Sequence, residues 1–239
     1  MSEAYDHANL LDRLSDRATL DVHYDRLRQR ERELLGRRVD LDAGGEALAV
    51  GCGRDPGRHL FPAPAWRLTG VDLDAAGPAA LVESGELDAG LAGRAGELDE
   101  LPDASFDIVL YRYVLHHVVY QGPLAPAFAE AARLLRPGGA MVAMEPGALH
   151  PVGAALTAAN RLGLGTAVHG TPDDVPLTAR RLEREARAAG LDPEVVAVTY
   201  GWRRLPPAAQ RALQRLDRPL GERPRAARFG HTLMLVARR

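Results

Sequence analysis

Two glycines flank Cys52 in the stretch VGCGRDPG, and an acid, Asp72, stands about 20 positions further on. Glycine at 51 and 53 lets the backbone turn tightly and come close to a ligand where any side chain would collide. Asp72 closes the next apolar run, LTGVD, and is placed there to accept hydrogen bonds from two ribose hydroxyls. The same geometry serves dinucleotides, so the turn by itself leaves the ligand open. Further along, His116 and His117 stand side by side after FDIVLYRYVL. Histidine titrates where proton transfer is useful, which makes either ring a candidate general base. Neighbouring side chains rarely share one environment, so one ring is expected at a site while the other packs or caps. Glu145 ends the apolar run AMVAME, where ligands gather on parallel sheets; it is expected either to bind an acceptor or to hold an arginine. His150 and His169 fall in a loop-rich stretch and Tyr24 in a helical one, as candidate binding groups or as ordinary surface and half-buried side chains.

Other chemistries are removed by what the chain lacks. Cys52 is the only cysteine, which rules out an intramolecular disulfide and argues against a cysteine-based metal cluster. Lysine is absent and all 30 basic residues are arginine, so Schiff-base chemistry and a lysine base are excluded.

Strands and helices alternate around these residues. Apolar strands are expected at 47–51, 68–74, 106–111, 140–145, 194–199 and 231–237, with a weaker one at 91–96. FDIVLY is apolar after Asp107 and suits a strand buried on both faces. Helices are expected within 5–35, near Gly57, over 75–92, over 123–135 up to RPGG, from Gly153 to Leu162, over 179–189 between Thr178 and Gly190, and near 207–216. Such alternation packs as a mostly parallel sheet covered on both faces.

At 239 residues the chain suits one large domain, with residues 1–38 as a helical lid or cap, 39–239 as the main domain and 146–177 as a cover. The N-terminus has neither a basic nor an apolar leader region, and no run is long enough to span a membrane; the default expectation is cytoplasmic. Net charge is −2, with acids prevailing between Asp40 and Asp107 and arginines from Thr178 onward. That asymmetry fits an anionic partner or, more plainly, a solvated helical face.

The ordered set LAVGCG, LTGVDLD, GELDELPDASFDIVLYRYVLHHV, LLRPGGAMVAMEPG and LTARRLEREARAAGLDP, with the closing strand, resembles the class I S-adenosylmethionine-dependent methyltransferases of small molecules from about residue 40 onward. The resemblance implies an α/β, Rossmann-like, doubly wound, mostly parallel seven-stranded sheet with an antiparallel final strand. It further implies S-adenosylmethionine as cofactor and S-adenosylhomocysteine as product. Gly51, Cys52 and Gly53 would face the cofactor's amino-acid part, Asp72 with Leu73 its ribose, and Glu97 with Leu98 its adenine. Tyr111, Arg112, His116 and His117 would line the methionine side and the acceptor pocket, with no metal.

Two departures stand out. The family's acid two positions before the first glycine is Ala49 here, and the third glycine comes late, in GCGRDPG. Asp55 either replaces the lost charge or forms a rigid Asp-Pro turn. The acceptor is expected to be a small molecule, with oxygen mildly preferred, and the protein a monomer or homodimer. Nucleic acid is disfavoured, because LYRYVLHH lacks the Asn/Asp-Pro-Pro-aromatic motif and Cys52 lies in the glycine turn. A rearranging or cyclising relative and a noncatalytic binding relative stand as alternatives.

Overall fold

A computed structural model describes residues 17–164 and 174–239. Seven strands form one sheet: β1 Gly45–Val50, β2 Trp66–Asp72, β3 Ala89–Ala92, β4 Phe106–Arg112, β5 Leu135–Pro146, β6 Asp192–Thr199 and β7 Thr232–Arg238. Their order is β3-β2-β1-β4-β5-β7-β6. β1 to β5 pair in parallel, and β7 runs antiparallel to both β5 and β6. This is the doubly wound topology with an antiparallel final strand, as expected.

Among the described residues the helices are α1 Arg17–Gly36, α2 Ala76–Glu83, α3 Leu115–Gln121, α4 Ala125–Leu134, α5 Pro151–Arg161, α6 Ala179–Ala188, α7 Pro207–Gln214, α8 Asp217–Gly221 and α9 Pro224–Ala227. β4 sets the core's geometry. Val109 and Tyr111 face one layer with Phe128 and Leu134 of α4 and Leu182 of α6; Ile108 and Leu110 face the other with Leu27, Leu34 and Leu35 of α1. A strand so buried needs apolar residues at successive positions, and FDIVLY supplies them. Thr178 caps α6, its Oγ1 accepting from the Arg181 N–H at 3.2 Å, and Gly190 follows at φ +79°.

Two expectations are corrected. No helix follows the glycine turn: residues 51–65 run through turns, and Leu60 and Phe61 fill the sheet face beside α1. Prolines at 56, 62 and 64 break any helical run there. The helix expected over 123–135 is, by contrast, present as α4, which ends at Leu134 just before RPGG; β5 begins at Leu135, with Gly138 at φ +85° where the pairing with β4 shifts. The helix expected over 75–92 stops at Glu83, and Gly85 at φ +79° turns the chain into β3.

Candidate functional site

A cavity of about 720 Å³ opens at the carboxyl ends of β1, β2 and β4. Its floor is the glycine turn. Gly51 sits at φ +66°, and a Cβ there would come within 2.6 Å of a Val114 methyl. Gly53, at φ +51°, donates its N–H to Asp72 Oδ2 at 2.8 Å, while the Leu73 N–H donates to Oδ1, also at 2.8 Å. Asp72 therefore locks the turn, and each of its oxygens keeps a lone pair for the cavity. Leu73 is 62% exposed and forms part of the wall. Glu97 stands across the cavity beside Arg94, at 3.9 Å. Burial, and then the charge of Asp72, push the Cys52 thiol up to about 12, so it supplies no thiolate near neutral pH.

At the β4 end, the wall is ionic. Glu31 of α1 is fully buried and lies 2.9 Å from His59 Nε2 and 3.1 Å from Arg112 Nε; the Tyr113 hydroxyl donates to it at 3.4 Å. Arg112 also reaches Asp55 Oδ2 at 3.0 Å, where Arg28 of α1 pairs at 3.1 Å. Burial opposes ionisation of Asp55, but the charge of Arg112, with Arg28 and the Gly57 N–H, holds its carboxyl below the ordinary range. Tyr113 sits at φ +59°, a conformation a bulky residue adopts only when its surroundings impose it. Burial, then Glu31, push its hydroxyl pKa up, so it stays a neutral donor.

A second cavity, of about 390 Å³, adjoins the first, and Tyr113 and His117 line both. Its other walls come from distant segments: His23, Tyr24 and Leu27 of α1, Val152 and Leu156 of α5, Trp202 and Arg203, and His231 with Thr232. The Tyr24 hydroxyl accepts from Arg203 Nη1 at 2.7 Å. Burial and the nearby Arg203 charge lower His23 to about 4; burial, with His150 and His23 nearby, lowers His231 to about 3. Both rings are neutral at pH 7. His116 also faces this cavity. Its Nδ1 lies 2.6 Å from Glu145 Oε2 and its Nε2 3.8 Å from Asp174 Oδ1.

Residues 48–143 match the family described as a methyltransferase domain. That match covers less than half of the chain. A curated protein of Mycolicibacterium smegmatis, described as a probable S-adenosylmethionine-dependent methyltransferase, is 36% identical over 107 residues, which span 44% of this chain and 39% of that protein. The chain is also similar in fold to an S-adenosylmethionine-dependent methyltransferase from Thermotoga maritima, at 17% identity and TM-score 0.57, covering 82% of this chain and 86% of the other. An O-methyltransferase family protein from Burkholderia thailandensis gives 14% and 0.58, covering 88% and 55%. The 4+2 cyclase SpnF gives 21% and 0.57, covering 87% and 80%. At these identities the solved structures speak for the fold alone.

The structure gathers Gly51, Cys52, Gly53, Asp72, Leu73, Glu97, Arg112 and His117 around the first cavity, and Tyr24, His116 and His117 around the second. Others lie elsewhere. Tyr111 points into the core, fully buried, and its hydroxyl donates to the Ala127 carbonyl at 3.1 Å. Leu98 is buried, and its N–H is committed to Glu130 Oε2 at 2.9 Å. Glu145 lies behind the pocket wall and not on it: fully buried, it accepts from the N–H groups of Val114, Leu115 and His116 at 3.0, 2.7 and 3.3 Å and holds the His116 ring, with no arginine partner in that set. His150 caps α5, its Nδ1 accepting from Val152 N–H and its Nε2–H donating to the Tyr200 carbonyl. His169 lies outside the described residues. Sequence reasoning missed Tyr113, His23, Arg203 and His231. Only Tyr113 carried a signal, since it follows Tyr111 by two positions at the end of a strand.

The turn and its acid fit S-adenosylmethionine, the cofactor that the sequence resemblance implies. Glycine stands where a Cβ would strike Val114, the carboxylate has free lone pairs, and the volume suits a nucleoside-sized ligand.

Proposed function

We propose that this protein transfers a methyl group from S-adenosylmethionine to a small organic acceptor, with oxygen as the mildly preferred target atom and no metal required. The observation that carries the reading is the shared wall: the cavity over the glycine turn and the histidine-lined cavity meet at Tyr113 and His117. A transfer reaction needs two such sites, with donor and acceptor atoms held in line at about 3–3.5 Å. Bound S-adenosylmethionine supplies a methyl group already activated on a positive sulfur, so the protein's main task is positioning.

In this reading the turn Gly51–Gly53 and Arg112 surround the methionine side, Asp72 and Leu73 the ribose, and Glu97 the adenine. The second cavity holds the acceptor. His116 is the candidate base for a hydroxyl, its ring held in place by Glu145 at Nδ1 on the wall of the second cavity. His117, at the shared wall with its ring centroid 4.0 Å from that of His116, orients the acceptor or takes that proton itself. Tyr24, tied to Arg203, contributes to the acceptor wall. The domain division at residue 38 and the cover at 146–177 belong to the same proposal, with α1 and α5 forming sides of the acceptor cavity. No described helix is long and apolar enough to cross a membrane. We place the protein in the cytoplasm, as a monomer or homodimer acting on a free small molecule; the near-balanced net charge of −2 gives nucleic acid no general attraction.

Native mass spectrometry with added S-adenosylmethionine, followed by product analysis over a panel of small hydroxylated and amino compounds, tests this reading. A bound cofactor and a product heavier by one methylene unit support it. A bound cofactor with products isobaric to their substrates transfers the assignment to cyclisation or rearrangement. No bound cofactor at high concentration rejects methyl transfer and favours a noncatalytic binding role.

A further inference from the structure

Three acids line the first cavity: Asp55, Asp72 and Glu97. Ribose and adenine account for the last two. The place of Asp55 follows from where the cavities meet. The sulfur that carries the methyl has to face the shared opening at Tyr113 and His117, and the amino-acid tail branches from that same sulfur. The tail's ammonium therefore lies near the opening, at the end of the cavity remote from Glu97.

Asp55 is the acid at that end. Its Oδ2 lies 3.0 Å from Arg112 Nη1, and Arg112 and Tyr113 both contact Glu31. β1 contributes no charge there, since Ala49 is buried in the apolar layer beneath α1. Resting on the cofactor reading above, we propose that Asp55 receives the α-ammonium of the cofactor's amino-acid tail, while Arg112 holds the carboxylate in position.

The local charges suit this role. Arg112 is already matched by the fully buried Glu31, so it steadies Asp55 without cancelling its charge. Arg28, the other cation on Asp55, is 46% exposed and well screened by solvent. The Asp55 side chain keeps 37% of its surface open, and its Oδ1 is braced by the Gly57 N–H at 3.2 Å. The late third glycine therefore has a use: Gly57, at φ +84°, closes the turn that aims Asp55.

Calorimetry with two ligands isolates the contact. S-adenosylhomocysteine carries the amino-acid tail, whereas methylthioadenosine keeps the nucleoside and thioether and lacks the tail. Asp55→Asn removes the charge and retains an oxygen for the Gly57 N–H; Arg28→Ala breaks the outer ion pair and retains the acid. We expect Asp55→Asn to weaken S-adenosylhomocysteine about tenfold and methylthioadenosine by less than about twofold, with Arg28→Ala leaving both within about twofold. Equal weakening of both ligands by Asp55→Asn, or no weakening of either, overturns the proposal and leaves the cofactor site standing. Wild-type protein that binds neither nucleoside overturns the cofactor reading and this proposal with it.

Discussion

The two cavities are built differently. The first is shaped by backbone: a glycine turn, an acid locked to that turn, and the ends of adjacent parallel strands. The second is assembled from side chains that come from α1, the end of β5, α5, the loop at 202–204 and the start of β7. A site made by strand ends inherits its shape from the sheet, and it tolerates wide change elsewhere in the chain. A site made by side chains from scattered elements is free to change its occupant. Under the proposed function, the first cavity would fix the donor and the second would set the acceptor.

The sharpest way to break the contrast is to disturb the backbone-built side. Gly51→Ala combines left-handed strain with a collision against Val114 and should destabilise the protein by about 2–5 kcal/mol in denaturant titrations. A melt like the wild type's would mean that the turn has room to relax. Next in size, Asp72→Ala should weaken S-adenosylhomocysteine about 10- to 100-fold by calorimetry through loss of ribose hydrogen bonds, with the fold retained. Unchanged affinity would reject the placement of Asp72.

The second cavity should respond to acid. His23 and His231 titrate lower in the folded chain, at about 4 and about 3, than the ordinary 6.5 of an unfolded one. Below pH 6.5 the unfolded chain therefore binds more protons, and their stabilising contribution, full above 6.5, falls as the pH drops toward 4. Each histidine adds a slope of up to about 1.4 kcal/mol per pH unit. Asp217, raised to about 6 by burial, acts in the opposite sense, since its protonated form is the one the folded state favours. Replacing His23 by Asn should flatten the acid limb of the stability curve, and an unaltered limb would contradict the burial assigned to this ring. The smallest effect belongs to Tyr24→Phe, which removes the oxygen that Arg203 binds. Once an acceptor is known, its KM should rise about fivefold while cofactor affinity stays within about twofold. Equal changes in both would mean that the cavities are not separable.

Legibility in the sequence followed the same divide. Gly51, Gly53 and Asp72 could be read because a tight turn near a ligand constrains residue type at fixed spacing, and β4 because burial on both faces demands a nearly continuous apolar run. Tyr111 misled because side chains alternate along a strand: position 111 faces α4, and β4 reaches the cavities only at Arg112 and, just beyond its end, Tyr113. Glu145 misled for a different reason. A strand-end acid can face a ligand or cap a neighbouring helix, and nothing local announces that α3 begins beside it. His23, Arg203 and His231 stand more than 25 positions apart in sequence, and only the folded sheet brings them to one wall. The prolines at 56, 62 and 64 carry the signal against a helix after Gly57. That α1 supplies leucines to the same face could not be read from spacing alone.

The most direct test is a crystal structure of the protein with S-adenosylhomocysteine. The account predicts adenine beside Glu97, both ribose hydroxyls on Asp72, and the sulfur facing the opening between Tyr113 and His117. A ligand bound away from the glycine turn, or a sulfur turned from that opening, would contradict it.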